Sequence, residues 1–193
     1  MRRVLPLLAA MTLSACVTPR PPPAPTASVP WDQRVAILQQ AGQWQLAGRA
    51  AVAVGTQGWQ ASLDWRQQAA DSQVHLAGPL GVGALVISRT AAGLSLNGAA
   101  PSDAVLGQLQ ERLGFELPLD DLRFWLLGAP NPATPAEVQR NDQDRAKQLV
   151  QDGWTVDYDR YLPVRGDWLP ARLVLSREGV RVRVVVDHWE GPT

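Results

Sequence analysis

Three side chains stand out for the covalent or acid–base chemistry they could perform: the single cysteine, Cys16, and two histidines, His75 and His188. Cys16 closes the stretch Leu13-Ser14-Ala15-Cys16, behind a leader with Arg2 and Arg3 and an apolar run from Val4 to Leu13. A small residue before a cysteine, behind a basic and then apolar segment, is the pattern of a bacterial lipobox. The chemistry it predicts is leader removal and acylation of Cys16, with S-diacylglycerol on the sulfur and an N-acyl chain on the amine. The apolar run of about ten residues is too short to cross a bilayer core of about 30 Å as a helix, so it reads as a signal peptide. One cysteine permits no disulfide within one copy, although export implies an oxidising compartment. Both histidines fall in strand patterns. No Gly-x-Ser-x-Gly elbow occurs, and no His/Asp/Glu group has metal-ligand spacing. An enzyme, for instance a lipoprotein hydrolase, is therefore not expected, and neither is a metal or any cofactor beyond the lipid on Cys16.

Acylation sets the address. Each buried acyl CH₂ contributes about 0.8 kcal/mol, so one chain holds marginally and two or three hold stably. In known bacterial lipoproteins an Asp just after the cysteine commonly signals retention at the inner membrane. Val17 stands there instead, which points to the periplasmic face of the outer membrane.

The elements that would have to present any further chemistry follow from composition and period. Residues 1–15 form the leader, 16–30 the lipidated cysteine and a tether, and 31–193 one domain with room for a sizeable core. Removing the two leader arginines from 18 basic and 18 acidic residues leaves the mature chain two charges negative, which argues against nucleic acid as a partner. The tether carries Pro19, Pro21, Pro22, Pro23, Pro25 and Pro30. That density favours extended polyproline II, about 3.1 Å per residue, or equally an untuned disordered spacer. Eight tryptophans against two Phe and two Tyr is unusual. Trp suits a lipid-lined cavity or an interface, but most of the eight are expected to be plain core residues.

Trp31 to Gly42 has helical spacing through Val35, Leu38 and Ala41. The period then becomes two. Trp59, Ala61, Leu63 and Trp65 alternate with polar residues, and Ala50, Val52 and Val54 form a weaker run before a turn over Gly55 to Gly58. Val74 and Leu76, Leu85 and Ile87, and Leu94 and Leu96 mark three more short strands in a meander. Ser102 caps a helix through Val105, Leu106 and Leu109 that Gly114 ends, and Pro118 to Leu127 is a second short helix with Leu122, Trp125 and Leu126 on one face. Strands return at Trp154 to Tyr158, Arg172 to Ser176 and Val180 to Trp189, the last with Val180, Val182, Val184 and Val186 on one face and Arg181, Arg183 and Asp187 on the other.

A sheet with one apolar face must bury that face or curl round something. If the two mid-chain helices cover the concavity without filling it, a dry hollow for acyl chains remains; if they fill it, the result is an ordinary core. Between the third and fourth strands, Gly78-Pro79-Leu80-Gly81-Val82-Gly83 makes a tight surface turn that puts Leu80 at an exposed tip.

Over nearly the whole mature chain the order of motifs resembles the LolB family of lipoprotein receptors. The resemblance rests on the lipobox and Pro-rich tether, Trp44-Gln45-Leu46-Ala47-Gly48-Arg49, Asp64-Trp65-Arg66-Gln67-Gln68 and Gly78-Pro79-Leu80-Gly81. It continues through Leu117-Pro118-Leu119, Phe124 to Pro130, Gln151-Asp152-Gly153-Trp154-Thr155-Val156, Leu169-Pro170 and the Val-rich strand to Trp189. It implies a mainly β fold with some helix: an unclosed, curved antiparallel barrel, LolA/LolB-like, with short helices over a hydrophobic cavity. It further implies a monomer that accepts mature lipoproteins, through their acyl chains, from a LolA-like periplasmic carrier and releases them into the inner leaflet of the outer membrane. The loop Pro79, Leu80 and Gly81 would drive insertion, and Trp59, Leu63, Trp65, Leu85, Trp125 and Val184 would wall the acyl cavity. The Ala-rich strands depart from the family pattern and bear on cavity size. Arg49, Arg181 and Arg183 offer one candidate carrier-facing patch. A lipid-anchored structural or assembly lipoprotein is the competing reading, which a filled core with a flat apolar patch would favour.

Overall fold

The computed structural model describes residues 29–192; the leader, Cys16 and most of the tether lie outside them. Helix α1 (Trp31–Gln40) leads into β1 (Gln43–Val54), β2 (Gln57–Gln68), β3 (Asp71–Ala77), β4 (Leu85–Thr90) and β5 (Gly93–Leu96). Helices α2 (Asp103–Leu113) and α3 (Leu119–Trp125) follow, then β6 (Glu137–Arg140), β7 (Ala146–Gln151), β8 (Trp154–Val164), β9 (Asp167–Arg177) and β10 (Val180–Glu190). The strands form one sheet in the order β5-β4-β3-β2-β1-β10-β9-β8-β7-β6. Each half is a meander of sequential antiparallel neighbours, and the halves meet where β1 pairs with β10. The edges are β5 and β6, each four residues long, and they do not pair, so the curved sheet stays unclosed. The chain crosses from one free edge to the other through α2 and α3.

The alternation read from the sequence sets the faces. Ala50 and Val52 in β1, Ala61, Leu63 and Trp65 in β2, Val74 and Leu76 in β3, and Val182, Val184 and Val186 in β10 all point inward and are buried. Trp189 rejoins this face despite its odd number. A bulge between β1 and β10 pairs Ala47 with His188 but Gly48 with Val186, which shifts the phase by one residue. Gly48 is obligatory there, because a Cβ would stand 2.1 Å from the Val185 carbonyl oxygen.

Several details differ from expectation. The β1–β2 turn is confined to Gly55-Thr56, and Gly58 belongs to β2. Helix α1 ends at Gln40 and buries Arg34 beside Leu38, because Arg34 donates hydrogen bonds to Asp167 and to the Trp168 carbonyl, while Val35 is only half-buried. In α2 the Ser102 hydroxyl accepts from the Val105 N–H and Gly114 takes the left-handed cap. Its inward residues are Val105, Leu109 and Leu113, and Leu106 faces out. Strands β6 and β7 carry no clean alternation. The inward residues of β7 are Ala146, Leu149 and the polar Gln151.

Candidate functional site

Inside the curve lies a hollow of about 50 Å³ with no polar surface. From the sheet it is walled by Ala50, Val52, Trp59, Leu63, Trp65, Val74, Leu76, Val182 and Val184. From the α2–α3 segment come Leu113, Phe115, Leu117, Leu122 and Leu126. A dry apolar cavity of roughly 150 Å³ is needed to hold a benzene, so in this closed state no long acyl chain fits. What occupies the space is the helical segment itself: five of its side chains point into the concavity that the sheet encloses. Capacity in this arrangement therefore depends first on that segment's position.

Trp59, Leu63, Trp65 and Val184 line the hollow. Leu85 does not. It lines an adjoining depression of about 330 Å³ with Trp59, Leu76, Val82, Arg112 and Leu113. The two spaces share Trp59, Leu76 and Leu113, so this depression is the mouth and Leu113 stands between mouth and interior. Trp125 is also displaced from the wall. It is 0% exposed, and its indole N–H donates to Gln151 Oε1 at 2.8 Å, while its carbonyl accepts from the Tyr158 hydroxyl at 2.9 Å. Its place at the end of α3 makes it the pin of the helical segment. Alternation locates a side chain on a face, but α3 faces β7 and β8 as well as the hollow, and the sequence does not separate the two. Most tryptophans serve the core: Trp44 stacks on Trp65 at 5.9 Å and meets Trp189 edge-on at 5.5 Å.

Gln151 completes the anchorage. It is 2% exposed, and besides Trp125 it accepts from the Asn131 N–H at 2.9 Å. Its amide donates to the carbonyls of Asn131 and Thr134 at 2.8 and 2.9 Å and to the Thr134 hydroxyl at 2.9 Å. Burial holds the Tyr158 phenol well above its ordinary value, so it remains a donor. Asp121 in the first turn of α3 has its carboxyl pushed up, chiefly by burial. A hydrogen bond from Asn131 at 2.6 Å pulls it down, and Asp152 and Asp120 push it up further.

The Gly78–Gly83 loop stands at the rim of the mouth. Its turn is closed by hydrogen bonds from the Gly78 N–H to the Val82 carbonyl at 3.0 Å and from the Gly81 N–H to the Gly78 carbonyl at 2.9 Å. Pro79–Gly81 forms one short 3₁₀ turn in which Leu80 takes φ +58°, the left-handed region. For a non-glycine residue that costs of order 1–3 kcal/mol. Leu80 is fully exposed and Val82 is 72% exposed. One exposed Leu is unremarkable, but a strained one beside a second exposed apolar residue makes this loop a candidate contact site. The sequence held the signal for Val82, which follows Leu80 by two and lies between two glycines.

On the outer face, the loop overhangs a depression of about 700 Å³ lined by Pro79, Leu80, Gly81, Arg49, Ala51, Ser62, Arg183 and Val185. Arg49 Nη2 lies 3.0 Å from Asp187 Oδ1, with both side chains more than half exposed, so the pair contributes little. Arg181 is exposed on the same face. His75 and His188 are exposed there too, His188 with its Nε2 3.8 Å from Glu190. Among the described residues no helix is long and apolar enough to cross a membrane.

The fold is an open antiparallel sheet wrapped round an apolar interior with a helical cover. The structure superposes on a LolA superfamily protein from Nitrosomonas europaea with a TM-score of 0.54 and 10% identity, over 84% of this chain and 93% of that one. Residues 42–189 match the family model described as outer membrane lipoprotein LolB. Curated outer-membrane lipoprotein LolB sequences from Thiobacillus denitrificans and Alkalilimnicola ehrlichii are 34% and 36% identical to it, each over 94% of this chain and 93% of their own length. That of Pseudomonas aeruginosa is 29% identical over 83% of this chain and 80% of its own. The chain belongs to the LolB family of outer-membrane lipoproteins.

Proposed function

We propose that the protein is a receptor anchored through acylated Cys16 to the periplasmic face of the outer membrane. It accepts mature lipoproteins from a LolA-like carrier by their acyl chains and inserts them into the inner leaflet. The observation that carries this reading is the fully exposed, left-handed Leu80 at the rim of the mouth of a hollow with no polar surface. No covalent step is needed. Handover proceeds if the receptor holds the tails better than the carrier does, and release proceeds if the bilayer holds them better still. A difference of about 1.4 kcal/mol gives a tenfold bias, and burying two further CH₂ groups supplies it. Entry requires the α2–α3 segment to withdraw its side chains from the concavity. Leu80 then enters the leaflet and lowers the barrier to deposition.

A Leu80→Glu protein is expected to load labelled lipoprotein from the carrier and fail to deposit it; normal deposition on liposomes would sink the role of the loop. The small closed volume of the hollow favours one other reading, a lipid-anchored assembly lipoprotein that transfers nothing. Incubation of the wild-type protein with carrier-bound labelled lipoprotein separates the two, since the assembly reading predicts no movement of label.

A further inference from the structure

The loop presents two different surfaces. Val82 turns to the mouth, whereas Leu80 overhangs the outer face of the sheet, above Arg49 and Arg183. The floor between these arginines is set by strand register. Ala51 pairs with Arg183 on one side and Gln60 on the other, and Arg49 pairs with Val185 and Ser62. Small residues at Ala51, Ser62 and Ala77 leave the depression open, and no carboxylate lines it. Among the described residues Arg183 is in no ion pair, and Asp187, the partner of Arg49, is itself exposed.

We propose that this depression docks the anionic phospholipid headgroups of the leaflet that Leu80 enters, with Arg49 and Arg183 as the phosphate-binding side chains. The inference rests on the insertion role of Leu80. The headgroup layer on each side of a bilayer is roughly 5–8 Å deep. A loop tip in the hydrocarbon therefore brings the polar groups around its base to phosphate level. A guanidinium presents a planar fork of donors that matches phosphate oxygens two at a time. The three features that a shallow membrane anchor needs thus occur together: an apolar tip, cationic forks at its base, and no acid between them. The carrier is a poorer occupant of this face. It must present tails to the mouth, on the lid side, and both arginines point away from the interior across the sheet.

The test uses the mature chain carrying Cys16→Ala, so that no acyl anchor contributes, with phosphatidylcholine vesicles prepared with and without phosphatidylglycerol. One basic side chain near an anionic surface strengthens binding about fivefold and two about thirtyfold. The wild-type chain is expected to bind the phosphatidylglycerol vesicles five- to thirtyfold more tightly (~1 kcal/mol per arginine), with the preference fading as salt rises. The Arg49→Gln/Arg183→Gln chain should lose that preference and keep its binding to phosphatidylcholine alone. Equal wild-type binding to both vesicles, or a preference surviving in the double variant, overturns the proposal. So does a double variant that keeps the preference but no longer accepts lipoprotein from the carrier, which would assign the arginines to the carrier. Leu80→Ser reports separately on the underlying reading, because an uncharged polar tip should weaken binding to both vesicles alike. If it weakens neither, the insertion role falls whatever the arginines do.

Discussion

Gln151→Ala should release the C-terminal end of the helical cover. The side chain is buried and gives or takes five hydrogen bonds, two from Trp125 and Asn131 and three to Asn131 and Thr134. A net contribution of about 1 kcal/mol per bond, with the two Thr134 contacts counted once, gives about 4 kcal/mol. The space vacated by the amide is polar and able to admit water, which restores part of this. A loss of about 3 kcal/mol is expected, equivalent to roughly 6–12 °C in melting temperature for a domain of this size. The loss should be local as well as global. Trp125 and Asn131 bracket the end of α3, so amides over 119–131 should exchange faster than those of β1, β2 and β10. The assay is chemical denaturation paired with hydrogen exchange read by mass spectrometry. A stability change below about 1 kcal/mol, or protection unaltered over 119–131, would refute the assignment of Gln151 as the anchor.

Leu113→Ala removes the side chain between mouth and hollow; it should cost about 2–4 kcal/mol and increase uptake of an apolar fluorescent dye, read by titration. Asp121 has a raised carboxyl pKa, so its ionised form weakens the folded state: that penalty is absent well below the ordinary value of 3.8, grows as pH rises from there to the folded value, and is complete above it. Asp121→Asn should therefore raise the melting temperature at pH 7, with the gain over wild type shrinking as melts are taken toward pH 3. Gly48→Ala drives a Cβ into the Val185 carbonyl; a loss of at least about 1–3 kcal/mol in urea unfolding is expected, against no loss for Gly107→Ala in α2, where a Cβ meets nothing within 4 Å.

The fold was legible where one physical constraint acted alone. Strands β2, β3 and β10 each have one wet and one dry face, so alternation gave their facing, with Trp59, Leu63, Trp65 and Val184 turned to the hollow, while β2 and β3 run further at both ends than the alternating apolar residues marked. Helix α2 carried both its caps in Ser102 and Gly114. Strands β6 and β7 were illegible because β6 is a short exposed edge and β7 buries Gln151, whose partners lie 17–26 residues away. Trp125 and Leu85 were apolar and inward, as read, but which interior space each touches is settled by how α3 and the loop pack, and periodicity carries no such information. Leu80 was exposed as its Pro-Gly surroundings required, yet its left-handed backbone was not foreseeable, because leucine rarely adopts it.

The two unjoined margins of the sheet have a mechanical consequence. A closed barrel has a girth fixed by strand number and stagger, and can widen only by tearing a whole ladder of hydrogen bonds. Here the ends, Gly93–Leu96 and Glu137–Arg140, can draw apart while every strand keeps its neighbour. The shell can thus dilate like a split ring, and the brevity of both margins limits the template that either offers to a stray chain.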